Sequence, residues 1–141
     1  MYKKILVALD NSETDRAMFP HIAKLAKLHG SQLLLLHVSD GWVARYYDLL
    51  NLAPSEEMEE DRAYLEKAAV DLRAHGIAVT AHLALGDPAS GILETALEQN
   101  CDLIAMTTHG HRFLKDLIYG STITRVRHRA RMPVLLVNVA K

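Results

Sequence analysis

The sequence predicts a doubly wound α/β fold, with one five-stranded parallel sheet and helices on both faces. Three observations lead there. Five short, nearly continuous apolar runs recur along the chain, and such runs mark strands buried on both faces. Four segments with helical spacing and readable ends lie between them. The 141 residues correspond to a single domain, 1–141, long enough to bury a core without staples.

The first strand is read at residues 5–9 (ILVAL), followed by a helix. Ser12 is placed as its N-cap, and Asp15 three positions on completes a pattern resembling a capping box. Met18, Ile22, Leu25, Ala26 and Leu28 form its apolar stripe, and Gly30 closes it. The second strand is 33–38 (LLLLHV). Residues 41–53, with Trp42, Tyr46 and Tyr47, read as an insertion at its C-terminal end, either a strut packing its aromatics or a lid.

The second helix is expected from Ser55, with Glu56, Glu57, Glu59 and Glu60 at its positive end. Met58, Leu65, Ala68, Ala69 and Leu72 are its buried stripe, and Gly76 ends it. The third strand is 77–85. Asp87 and Pro88 then open the third helix as N-cap and first helical residue. Its inward side is read as Ile92, Leu93, Ala96 and Leu97. The fourth strand is 103–106, the fourth helix runs from about Ser121 to Ala130, and Pro133 opens the fifth strand, 134–139. Right-handed crossovers then give the doubly wound arrangement.

Charge and cysteine content narrow the function. Sixteen basic residues against seventeen acidic leave no basic excess for a nucleic-acid partner. No stretch approaches the roughly 20 apolar residues of a membrane span, and the N-terminal apolar run is too short for a signal peptide. Cys101 stands alone, which suits a reducing cytoplasm. It is read as a buried structural thiol.

Ligands of this fold class bind at the C-terminal ends of the strands, where strand order reverses. The residues there are Asp10, Val38 to Asp40, Gly86 with Asp87, and the segment from Thr107 to Ser121. In that segment Gly110 allows close backbone approach, and Arg112 and Lys115 supply positive charge. Gly120 and Ser121 are expected at the start of the fourth helix, where free amides suit a phosphate. The same residues also fit an ordinary glycine-ended loop and a serine cap. His109 and His111 form an H-x-H pair, but no regular set of further donors supports a metal site, and none is expected.

Across essentially its whole length the chain resembles the universal stress protein family. The resemblance rests on Lys4 to Glu13 (KILVALDNSE), His37-Val38, the Gly86-Asp87-Pro88 turn and Arg131 to Val137 (RMPVLLV). It also rests on a motif of the family's ATP-binding branch, in which a glycine, two residues, a glycine and nine residues precede Gly-Ser/Thr. Here Gly110, nine residues and Gly120-Ser121 match, while Thr107 stands at the first glycine.

The resemblance implies an adenine nucleotide alpha hydrolase-like sheet in the order 3-2-1-4-5 and an ATP ligand, with magnesium or manganese at the phosphates. Asp10 would contact ribose or adenine, Val38 would offer backbone groups to the adenine edge, and Ala8 and Met106 would line the pocket. Gly110, Gly120, Ser121 and the Thr122 amide would hold phosphates, with Arg112 beside them. Thr107 would crowd the sugar, or donate to ribose if its backbone is extended. The resemblance also implies a homodimer through the strand Val134 to Val139, whose open edge carries no charge.

Enzyme signatures are missing: there is no G-x-S-x-G elbow, P-loop or G-x-G-x-x-G turn. No residue stands out as a base for water attack. The expected function is therefore a cytoplasmic regulatory protein that binds ATP as a ligand. A nucleotide-free interaction module and a slow ATPase or phosphotransferase are the alternatives.

Overall fold

The computed structural model describes residues 1–39, 56–108 and 116–139. The elements follow in the order β1 (Lys4–Ala8), α1 (Asp15–His29), β2 (Gln32–Ser39), α2 (Glu56–Arg73), β3 (Val79–Leu85), α3 (Pro88–Glu98), β4 (Leu103–Thr108), α4 (Asp116–Arg129) and β5 (Val134–Asn138). The sheet order is β3-β2-β1-β4-β5, as expected, and all four strand pairings are parallel. The chain steps outward from β1 to β3, then returns past β1 to β4. The strand order therefore reverses between β1 and β4, the point beyond whose C-terminal ends ligands of this fold class bind.

Strand alternation sends successive side chains to opposite faces, and the core divides accordingly. Ile5, Val7, Leu33, Leu35, Leu103 and Ala105 pack with Met18 and Ile22 of α1 and Leu65 and Ala69 of α2. Leu6, Leu34, Leu36, Ile104 and Met106 pack with Ile92 and Ala96 of α3 and Val126 of α4. Cys101 lies buried in this second layer, and burial pushes its thiol pKa up. That is the environment of an inert structural cysteine.

Most helix ends follow local chemistry. Gly30 caps α1 in the left-handed region, at φ 65°, a conformation costly to residues with a Cβ. Asp87 caps α3 by accepting the Ser90 amide, with Pro88 at the first position. The stripe expected for α2 is buried throughout. Of the other expected stripe residues, Leu25 and Leu93 are half-buried, and two are exposed: Leu28 at 79% and Leu97 at 49%. Leu28 stands two positions after buried Ala26 and Leu97 one position after buried Ala96, so at roughly 100° per residue each turns away from the face that meets the sheet.

A larger departure concerns α4. The helix opens at Asp116, upstream of the expected start near Ser121. Gly120 and Ser121 therefore lie inside it and not among its first free amides. Residues 116–119 contain no glycine or proline to break a helix.

Candidate functional site

Ala8, Val38 and Met106 end on adjoining strands β1, β2 and β4, and all three side chains face the α3/α4 layer. Val38 is pressed against α3 at Gly91, where an added Cβ would come within 2.9 Å of Val38 Cγ2. Thr107, on the strand position after Met106, faces the opposite layer. It is a buried residue in regular strand, paired with Val137. Its extended backbone removes the left-handed conformation that a β-branched residue would resist, and favours the reading of Thr107 as a donor. Beside it, Thr108 Oγ1 donates to Asn138 Oδ1 at 2.6 Å, tying the ends of β4 and β5.

Asp10 follows β1 in a turn with a defined internal structure. Its Oδ2 accepts from the Ser12 hydroxyl at 2.8 Å and the Thr14 hydroxyl at 3.3 Å. Asn11 is left-handed, at φ 57°, which asparagine tolerates better than most residues. The amides of Asp10, Asn11 and Ser12 donate to the Asp15 carboxylate at 2.9, 2.8 and 3.4 Å. Successive amides converging in this way form an anion-binding concavity, and here the anion is the protein's own. The amides of Asp15, Arg16 and Ala17 are likewise satisfied, by the carbonyls of Ser12, Glu13 and Thr14.

The capping-box reading of Ser12 and Asp15 holds in part. The carboxylate reaches back as expected, but the N-cap is Thr14, which makes no side-chain cap bond. The sequence reading also missed the breadth of Asp15's role, because its three amide partners converge only once Asn11 turns left-handed. A second polar group was missed at the end of β2. His37 Nδ1 donates to the Leu9 carbonyl at 2.8 Å. Its Nε2 lies 3.5 Å from Asp61 Oδ2 on α2, and Asn11 Nδ2 donates to Asp61 Oδ1 at 3.0 Å. These contacts join residues far apart in sequence, so spacing could not signal them.

The N-terminus of α3 is also occupied. Arg125 of α4 bonds Asp87 Oδ1 at 2.9 Å. The guanidinium, together with the Ser90 amide, holds the Asp87 carboxyl well below the usual carboxylate range. The turn before α1 and the start of α3 are thus both supplied with internal carboxylates.

Ser121 is exposed and Thr122 is buried on α4. Gly110 and Arg112, the pair His109 and His111, and the 41–53 insertion fall outside the described residues. Among the described residues no cluster of three or more His, Cys, Asp or Glu could hold a metal ion. No helix there is long and apolar enough to cross a membrane.

Residues 1–138 match the profile of the Universal stress protein family. The chain belongs to the universal stress protein family. A universal stress protein of Thermus aquaticus is 34% identical over 143 residues, spanning 97% of this chain and 99% of its own. The solved structure of MJ0577, a universal stress protein of Methanocaldococcus jannaschii, superposes with a TM-score of 0.82 at 29% identity. That match covers 100% of this chain and 99% of the other. The Archaeoglobus fulgidus universal stress protein, solved in complex with dAMP, shares the fold with a TM-score of 0.72. It is 22% identical, over 96% of this chain and 98% of its own.

Proposed function

We propose that this universal stress protein is a cytoplasmic regulatory protein that binds an adenine nucleotide, ATP, in the crevice between β1 and β4. One observation carries the reading: Gly110 and Gly120-Ser121 stand at the spacing of the ATP-binding motif, along the chain that follows β4 beside the topological switch point. The occupancy of the other turns supports it. The amides after β1 are taken by Asp15, and Asp87 caps α3, so phosphates are directed to the β4–α4 connection. The dAMP complex of the Archaeoglobus fulgidus protein supports an adenine nucleotide on the same fold.

In this reading Ala8, Val38 and Met106 flank the base, Asp10 meets ribose or adenine, and Thr107 donates to the sugar. Gly110, Arg112, Gly120, Ser121 and Thr122 hold the phosphates, with magnesium or manganese as counter-ion. Because α4 runs through Gly120 and Ser121, their amides reach a phosphate only when its first turn opens. Gly120, just after that turn, weakens the helix there, since glycine costs about 1 kcal/mol relative to alanine in a helix. ATP then acts as a ligand that shifts the conformation of α4, and two copies pair through β5. The helical state of Gly120 and Ser121 also favours a second reading, a nucleotide-free interaction module.

The test is to denature the purified protein, identify any released nucleotide, and titrate the nucleotide-free protein with ATP by calorimetry. Bound or titratable ATP, lost when Gly120→Trp blocks phosphate approach, is the expected result. Unchanged affinity in that variant overturns the site. A wild-type protein with neither bound nucleotide nor heat of binding supports the interaction module. Multiple turnover with magnesium would make the protein an ATPase.

A further inference from the structure

We propose that Asp15 is a positioning residue of the nucleotide site, acting through Asp10, with Tyr64 of α2 as its support. This rests on the nucleotide reading above. Asp15 is completely buried, at 0% exposure. Its carboxylate meets three loop amides and the Tyr64 hydroxyl, which donates to Oδ2 at 2.9 Å. Among the described residues no cation pairs with it. The nearest basic neighbour in sequence, Arg16, is exposed and lies 3.9 Å from Glu13.

A buried carboxylate without a cation is an expensive way to start a helix. The helix does not require it, because the first-turn amides of α1 are bonded to the carbonyls of Ser12, Glu13 and Thr14. The carboxylate works on the loop instead. It gathers the amides of Asp10, Asn11 and Ser12 onto one centre and so sets the course of the chain through Asp10. The same loop brings the hydroxyls of Ser12 and Thr14 onto Asp10 Oδ2, which sets the direction of the Asp10 carboxylate. Tyr64 and the Asn11–Asp61 bond pin this loop to α2. Asp10 is therefore held ready in the crevice, and its ligand does not have to order it. Removing such an ordering cost is a direct gain in affinity.

A residue that acts through another leaves a signature in a double-mutant cycle. ATP affinity is measured by calorimetry for the wild type, Asp10→Ala, Asp15→Asn and the double variant. The loss of a hydrogen bond to a charged group predicts that Asp10→Ala weakens binding roughly tenfold. Asp15→Asn, which keeps the shape but offers fewer acceptors, is expected to weaken it severalfold. The double variant should bind no more weakly than Asp10→Ala alone. An unfolded fraction would add the same loss in either background, so a merely structural role gives multiplied losses. Should Asp15→Asn fail to fold, Tyr64→Phe removes one bond to the same carboxylate and runs the same cycle. Multiplied losses, or full affinity in both Asp15→Asn and Tyr64→Phe, overturn the proposal and leave the nucleotide reading standing. A wild type that binds no ATP overturns both.

Discussion

Replacing Gly91 by alanine sets two effects of known size against each other. In an exposed helix interior, Gly→Ala stabilises by about 1 kcal/mol. Gly91 instead faces the end of β2, where an added Cβ would lie 2.9 Å from Val38 Cγ2 and 3.2 Å from Cγ1. Both contacts are too close. Val38 is β-branched and has only a stiff χ1 to yield with. Either that side chain leaves its rotamer or α3 lifts from the sheet, and overpacking of this kind costs roughly 1–3 kcal/mol. The net expectation is a destabilisation of about 1 kcal/mol, or ~2–4 °C in melting temperature for a chain of this size.

Urea denaturation reads this as a lower midpoint at unchanged slope. The companion variant is Gly91→Ala with Val38→Ala. With both methyls gone, the closest remaining contact is the 3.7 Å distance to Val38 Cβ, which is ordinary packing. The helix-propensity gain then reappears, and the pair should be more stable than the summed single effects by about 1–3 kcal/mol. A Gly91→Ala protein stabilised by about 1 kcal/mol and uncoupled from Val38 would refute the close approach.

Two further outcomes follow from the same geometry. Burial raises the Asp15 pKa above its unfolded value of 3.8, against the lowering effect of its hydrogen bonds. Its neutral form therefore stabilises the fold below the unfolded value, and this contribution is lost as pH rises through the folded one. Urea midpoints of the wild type, relative to Asp15→Asn, should fall as pH rises from about 4 toward neutrality, and a relative rise would contradict the assignment. For the proposed dimer, β5 pairs with β4 on one side, and pairing its other edge with a second copy would satisfy the open backbone groups. Sedimentation at micromolar concentration should give a dimer that Leu136→Pro weakens, and a single monomeric wild-type species would defeat the proposal.

The fold was legible in the sequence because it rests on local signals. Apolar runs such as 33–38 announce strands covered on both faces, and Gly30 and the Asp87-Pro88 step mark helix ends by their own backbone chemistry. The family resemblance was legible for the same reason, since short local segments carry it: Lys4 to Glu13, the Gly86-Asp87-Pro88 turn, Arg131 to Val137, and the spacing of Gly110 from Gly120-Ser121. Exposure of Leu28 and Leu97 was not legible, because each sits at the side of its apolar stripe and packing sets how much of that stripe the sheet covers. The start of α4 at Asp116 was missed because residues 116–119 suit a helix as well as a loop, and no cap or breaker chooses between them. Only the tertiary structure showed that Asp15 gathers the loop presenting Asp10, that Tyr64 and Asp61 of α2 secure that loop, and that Gly91 sits against Val38. Each of these depends on a left-handed residue, a buried charge or a close approach between distant segments. Sequence order does not encode such distances until the sheet brings the segments together.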